Sequence, residues 1–226
     1  MAVHFTGPLH VDGVPVGGIM PIQGKSIFVK PSTGSNINSG LSADQAVKTL
    51  AQALTLATAN QNDTVYLYGE SNTAANTTDY QSATLTWNKD LVHLVGVCAP
   101  TAVSQRARIA QLSTATGVSP LVDVTANGCI FQNISIFHGV ADATSLICLR
   151  VTGQRNVFDH CHIAGVGNAT MSAAGSCSLK IDAGAENVFR NCVIGLDTIA
   201  RDADATEILL DTAATRNLFE DCHISS

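Results

Sequence analysis

The sequence predicts an all-β protein in which one unit is stacked repeatedly as a parallel β-solenoid. The first observation is a returning octapeptide: NVFDHCHI at 156–163 comes back as NVFRNCVI at 187–194 and as NLFEDCHI at 217–224. The second is the spacing, since 31 residues separate Asn156 from Asn187 and 30 separate Asn187 from Asn217, with Cys161, Cys192 and Cys222 keeping the same steps. The third is a run of alternating apolar segments ahead of each octapeptide: LVDV at 121–124, LICLRV at 146–151, CSLKI at 177–181 and EILL at 207–210. CIFQNISI at 129–136 adds a fourth copy of the octapeptide pattern. Alternation of period two within a repeat near 30 residues is the signature of short strands wound into coils, and two strands per coil are expected, joined by a tight turn and closed by a longer loop.

Taken from the N-terminus, the first 24 residues contain scraps of apolar alternation around Asp12-Gly13 and two glycines. The Asp-Gly pair is a hairpin signal, and Pro8 and Pro15 confine it to an edge. Residues 1–24 are expected to form an attachment arm whose apolar residues are Phe5, Leu9, Val11, Val14 and Val16; a segment packed along the chain's own coils is the alternative. From Ser42 the pattern changes. Ser42 with Gln45 makes a capping box, and Ala46, Val47, Leu50, Leu54 and Ala57 follow at helical spacing, which predicts an amphipathic helix over about 42–59 lying across the first coil. A polar turn, the strand TVYLY and the short strands ATLTW and LVHLVGV lead into the repeats, with Trp87 covering the first coil.

Strict alternation cannot bury both Phe158 and Cys161, because an odd number of bonds separates them. A corner inside the octapeptide solves this: Phe158, Cys161 and Ile163 then face inward, while Asp159, His160 and His162 lie outside or at the turn. The repeat therefore predicts an interior stack of Phe131, Phe158, Phe189 and Phe219 and a column of Asn156, Asn187 and Asn217 whose amides bond from coil to coil. Cys161, Cys192 and Cys222 read as small buried hydrophobes, since side chains ~4.8 Å apart on parallel vectors suit a disulfide poorly. Zinc is the sharper alternative beside His160 and His162, but neither CxxC nor HxxxH spacing is present, so no metal or other cofactor is expected.

The order of IFVKPSTGSNINSGLS, an amphipathic helix, NDTVYLYGES and coils with stacked Asn, Phe and Ile resembles right-handed parallel β-helix proteins of the pectin-lyase-like class. The resemblance covers about residues 25–226 and implies a right-handed, single-stranded parallel β-helix whose N-terminal end is closed by a short helix. It is specific for fold and weak for activity, because the class includes lyases, hydrolases, phage tailspikes and inert virion components. Two departures stand out: the coils carry long loops such as GVGNATMSAAGS and GLDTIARDADA, and the sequence reaches Ser226 directly after a repeat strand with no covering segment, so a partner subunit or further chain is expected over that end.

Composition narrows the function. Charged residues make up 13% and the net charge is −6, which leaves no basic surface for nucleic acid. No apolar run approaches the ~20 residues of a membrane helix, and no secretory signal opens the chain, so a soluble protein made in the cytoplasm is expected. Aromatic residues are only 5%, and four of the Phe are committed to the interior stack, which disfavours a sugar-binding groove. The candidate acids and bases are Asp159, Asp197, Asp202, Asp204 and Asp221 with His160, His162 and His223. The columns Asp159–Arg190–Glu220 and His160–Asn191–Asp221 read as cross-strand charge matching rather than a catalytic pair. Asp197, Asp202 and Asp204 share one loop but lack the Gly and Glu of a regular Ca²⁺ loop. His93 reads as a satisfied core or edge histidine, and GxSxG and phosphate-loop motifs are absent.

No catalytic residues are therefore expected. The reading is a non-enzymatic structural protein resembling bacteriophage virion components, a capsid decoration or head-fibre protein made in the host cytoplasm. Its expected partner is another virion protein, the major capsid protein first, with a homotrimer implied by the resemblance. The alternative is a tailspike that binds or cleaves glycan through the long loops.

Overall fold

The computed structural model describes residues 24–202, 204–211 and 213–226, with the backbone of residues 10–11 and 14–15. In the arm, β1 (His10–Val11) pairs antiparallel with β2 (Val14–Pro15), Val11 opposite Val14, as a hairpin spanning Asp12-Gly13 requires. Phe5, Leu9 and Val16 lie outside the described residues, as do the side chains of Val11 and Val14.

The remaining strands form a parallel solenoid with five three-stranded turns. β3 (Ser26–Val29) precedes them. The first turn is β4 (Thr64–Tyr68), β5 (Thr78–Gln81) and β6 (Leu85–Trp87), and the second is β7 (His93–Val97), β8 (Arg108–Gln111) and β9 (Val122–Val124). The third is β10 (Ile130–Gln132), β11 (Ser135–Phe137) and β12 (Ile147–Val151), and the fourth is β13 (Val157–Asp159), β14 (His162–Ala164) and β15 (Cys177–Ile181). The fifth is β16 (Val188–Arg190), β17 (Val193–Gly195) and β18 (Thr206–Leu210), followed by β19 (Leu218–Glu220) and β20 (His223–Ser225). Three sheets result. Sheet B runs β3-β4-β7-β10-β13-β16-β19, sheet C runs β5-β8-β11-β14-β17-β20, and sheet D runs β6-β9-β12-β15-β18.

Each coil has three strands, not the two expected, because the corner inside the octapeptide divides it into one strand of sheet B and one of sheet C. The corner residue takes a left-handed conformation in every copy: Asn133 (φ 54°), His160 (52°), Asn191 (52°) and Asp221 (50°). A second left-handed residue turns the chain from sheet D into sheet B at Gly128, Arg155, Glu186 and Arg216. Such a conformation costs an L-residue of order 1 kcal/mol, and it recurs because the corner amide is used between coils: His160 N donates to Arg190 O (3.1 Å) and Asn191 N to Glu220 O (3.0 Å).

Register pairs each repeat with itself: Phe131 with Phe158, Phe158 with Phe189, and Phe189 with Phe219. Their rings stack at centroid distances of 4.7, 4.7 and 4.9 Å with interplanar angles of 7°, 3° and 10°. Trp87 closes the stack edge-on against Phe131 (5.5 Å) and donates its indole N–H to Val92 O. Asn187 Oδ1 accepts from Asn156 N (2.9 Å), Asn217 Oδ1 accepts from Asn187 N (3.0 Å), and Asn156 Oδ1 accepts from Cys129 N (2.8 Å). The amide groups donate back to Ala126 O, Gly153 O and Gly184 O, so the buried turn from sheet D to sheet B keeps its polar groups bonded.

The helix is shorter than expected. α1 spans Leu50–Leu56, with Thr49 rather than Ser42 as its cap: Thr49 Oγ1 accepts from Gln52 N, whereas Ser42 precedes only a 3-10 turn, Ala43–Gln45, and makes no side-chain cap bond. The residues between are drawn into the sheet edge. Val47 bridges Val29, Val47 N donates to Phe28 O, and Lys30 N donates to Val47 O. Asn36 Oδ1 accepts from Lys48 N and Thr49 N, fixing the switch into helix. Leu50, Ala53 and Leu54 pack down on the core. Replacing Phe158 by Ala should break the ring stack at its centre and lower unfolding stability by about 3–5 kcal/mol in denaturant titration, with a similar loss for Phe189→Ala and a smaller one for the less buried Phe219→Ala.

Candidate functional site

The acids singled out from the sequence do not converge. Asp159 lies on the outer face of sheet B, yet it is only 5% exposed because its neighbours cover it. Its Oδ1 accepts from His160 Nδ1 (2.9 Å) and Arg190 Nε (3.3 Å), and its Oδ2 accepts from Gln132 Nε2 (3.1 Å). Burial alone would raise its pKa, but the bonds from Arg190 and His160 outweigh burial and hold the carboxyl below its ordinary range. Asp159 and His162 point outward, as the corner requires, and both are covered by neighbouring groups, while His160 at the turn is exposed. His162 is 2% exposed, accepts from Ser104 N at Nδ1 (3.0 Å) and donates from Nε2 to Gly195 O (3.2 Å), and burial keeps it neutral. Asp197, Asp202, Asp204, Asp221 and His223 are exposed, and His93 is buried between Asn62 and Ile130 N.

The cysteines form a column within the core. Cys161 Sγ donates to Phe131 O (3.4 Å), Cys192 Sγ to Phe158 O (3.4 Å) and Cys222 Sγ to Phe189 O (3.3 Å), each reaching back one coil. Hydrogen bonding between neighbouring thiols, with burial, pushes Cys192 and Cys222 far above the usual thiol range. All seven cysteines are free, and no group of three or more His, Cys, Asp or Glu among the described residues has the arrangement to hold a metal ion.

Sequence reasoning missed the buried ion pair in the loop between sheets C and D. Glu207, 8% exposed, is held by Arg201, which also donates to Val166 O (2.7 Å) and Gly165 O (3.3 Å). Ser178 Oγ donates to the same carboxylate. The pair ties the 196–205 loop down over the coil below. Nothing in the local pattern signals it, since Arg201 sits in a loop and Glu207 reads as an alternating strand residue.

Two of the open hollows among the described residues are lined by groups that bear on function. One, about 260 Å³, lies on the outer face of sheet C between Tyr80, Arg108 and Phe137, with the Arg108 guanidinium 4.3 Å over the Phe137 ring. The other, about 520 Å³, lies between α1 and the first coil and is lined by Thr49, Thr55, Asp79, Ser82, Thr86 and Lys89 among others. Asp79 is 3% exposed and its Oδ2 accepts from Leu50 N (2.9 Å), so it holds the start of α1 to β5. Burial pushes its carboxyl up to about 6 against the opposing bonds from Leu50 and Gln81.

This geometry defines a right-handed parallel β-helix of the pectate lyase-like type, and comparison with known proteins gives the same class. Pectate lyase Pel9A superposes with a TM-score of 0.60 at 15% identity, covering 89% of this chain and 48% of that one. Pectin methylesterase from Aspergillus niger gives 0.55 at 18% identity, covering 91% and 57%. A rhamnogalacturonan lyase gives 0.56 at 16%, covering 89% and 51%. The chain thus spans about half the length of these pectin-processing enzymes, and at such identities the likeness is one of fold. No protein-family model and no curated protein sequence matches the chain.

Because the folded protein holds the Asp79 proton more tightly than an unfolded carboxyl with its ordinary value of 3.8, this group favours folding below about pH 4, and that contribution is lost as pH rises through about 6. Comparison of wild type with Asp79→Asn by thermal melting between pH 4 and pH 8 should show a component of up to about 2–3 kcal/mol in wild type that the variant lacks.

Proposed function

We propose that the chain is a non-catalytic structural β-helix, a component of a bacteriophage virion that attaches to another virion protein through residues 1–24. The observation that carries the non-catalytic part is the use of the outward polar groups. Asp159 is engaged by Arg190, His160 and Gln132, Asp123 by Arg150 (2.6 Å), and Glu186 by Arg155 and Arg216 (2.6 and 2.7 Å). Such ladders join one coil to the next. A glycoside hydrolase needs two carboxyl groups across an open groove, one held protonated and one ionised, and that division of labour is missing among these satisfied acids. The low charge and the long column of identical contacts suit a rigid spacer. The capsid surface, as a decoration or head fibre, is the placement proposed for it.

A second reading, glycan binding, draws support from the hollow on sheet C, where Tyr80 is 44% exposed beside Arg108 and Phe137. An aromatic face with a guanidinium offers stacking and hydrogen bonds to a sugar ring. The structural neighbours act on pectin, which makes pectin the first polymer to try.

Two assays separate the readings. Incubation with pectin, de-esterified pectin and rhamnogalacturonan should release no reducing ends, unsaturated products or methanol, and a turnover abolished by Asp159→Asn would overturn the non-catalytic reading. Co-sedimentation with phage particles from the encoding strain should retain the full chain and lose a variant lacking residues 1–24. Equal retention of both would overturn attachment through the arm.

A further inference from the structure

The outer face of sheet B carries charges that are paired from coil to coil and, between them, a row of aliphatic side chains left outside the core. Because alternate residues point outward, each of its last three strands and the corner before it present an outward triad: Arg155, Val157 and Asp159; Glu186, Val188 and Arg190; Arg216, Leu218 and Glu220. The central residues are in register with Ile130 and make a continuous aliphatic stripe of Ile130, Val157, Val188 and Leu218, all outside the buried core. In every triad the first and third residues have opposite charge, and the order of signs reverses from one level to the next.

We infer that this face binds a second copy of the same chain, side by side, with the two solenoid axes parallel. Rotation about an axis parallel to the solenoid keeps each level at its own height and makes facing strands run in opposite directions. The first residue of one triad then meets the third of its partner's. Glu186 faces Arg190 and Arg216 faces Glu220, with Arg155 over the covered Asp159 at the level above. The valines meet valines and Leu218 meets Leu218. Turning one copy end over end about the Val188 level instead sets Arg155 against Arg216 and Glu186 against itself, so charge selects the parallel arrangement. The same left-to-right meeting serves two copies or three around one axis.

Toward the N-terminal end the stripe stops at Ile130, where its column passes to the covered polar residues His93 and Thr64, and Val95 and Tyr66 supply apolar surface in the third-residue column instead. Six strands at ~4.8 Å and five residues across give a face of roughly 400 Å² per copy, below the roughly 600 Å² per partner of standard specific interfaces, so the association should be weak, transient and reversible with concentration. The inference does not rest on the virion reading, and its failure would leave that reading standing.

Sedimentation velocity of the full chain from about 1 to 100 μM, the range expected for an interface this small, should show a shift from one copy to two or three. Val188→Asp should hold the protein at one copy with an unchanged far-ultraviolet circular dichroism spectrum. Val157→Cys and Leu218→Cys, each made singly, should each give a covalent dimer on mild oxidation beyond the wild-type background from Cys98 and Cys222, because only parallel axes bring each residue against itself. A wild type that stays monomeric throughout, association that survives in folded Val188→Asp, or failure of both cysteine variants to cross-link would overturn the inference.

Discussion

Parallel pairing in exact register fixes one distance, the gap between neighbouring strands, and the rest of the molecule is arranged to suit it. Aromatic rings in a solenoid must sit one strand spacing apart, and Phe131, Phe158, Phe189 and Phe219 do so at 4.7–4.9 Å, nearly parallel. Rings in face contact are closer than that, about 3.5 Å, so the stack is necessarily offset, which is the arrangement that ring quadrupoles favour. The same spacing lets an asparagine amide bond the turn above and the turn below. It also lets a thiol reach the carbonyl of the previous coil, and it explains why three cysteines in one column form no bridge: parallel side chains at this separation serve packing better than disulfide geometry.

Repetition has a consequence for function. A side chain that faces its own equivalent in the next coil is either matched to it or repelled by it, so charged positions on the outer surface settle into alternating ladders. Asp123 with Arg150, Asp159 with Arg190, and Arg155 with Glu186 and Arg216 are of this kind. Acids bound in this way are poor candidates for proton transfer, because their ionised form is stabilised by fixed partners. On the β-helix of this chain, then, the outward charges named above are spent on joining one coil to the next.

Much of this was legible in the sequence because the fold is written as a period. The spacing of Asn, Phe, Cys and Ile identified the stacks, and the parity conflict between Phe158 and Cys161 located the corner that His160 turns. What could not be read depends on contacts distant in sequence. Ser42 has good capping chemistry, but Val47 gains more by joining β3, which moves the helix start to Thr49. His162 looks like a surface residue until Ser104, 58 residues earlier, is seen to cover it. Arg201 and Glu207 form their buried pair because the loop after β17 folds back to bring Arg201 against Glu207 of β18 and against the Gly165 and Val166 carbonyls one coil away. The third strand of each coil was hidden for a simpler reason, since strands of three residues divided by one left-handed corner look continuous.

Coil-to-coil bonds make the solenoid one cooperative body. Native-state hydrogen exchange of the Asn156 and Asn187 amides, whose acceptors are side-chain oxygens one coil away, tests this most directly. These two amides should exchange only through global unfolding, with the same free energy and denaturant dependence as the amides of Phe158 and Phe189. Exchange through local opening, well below that free energy, would contradict the claim that the asparagine column binds the coils together.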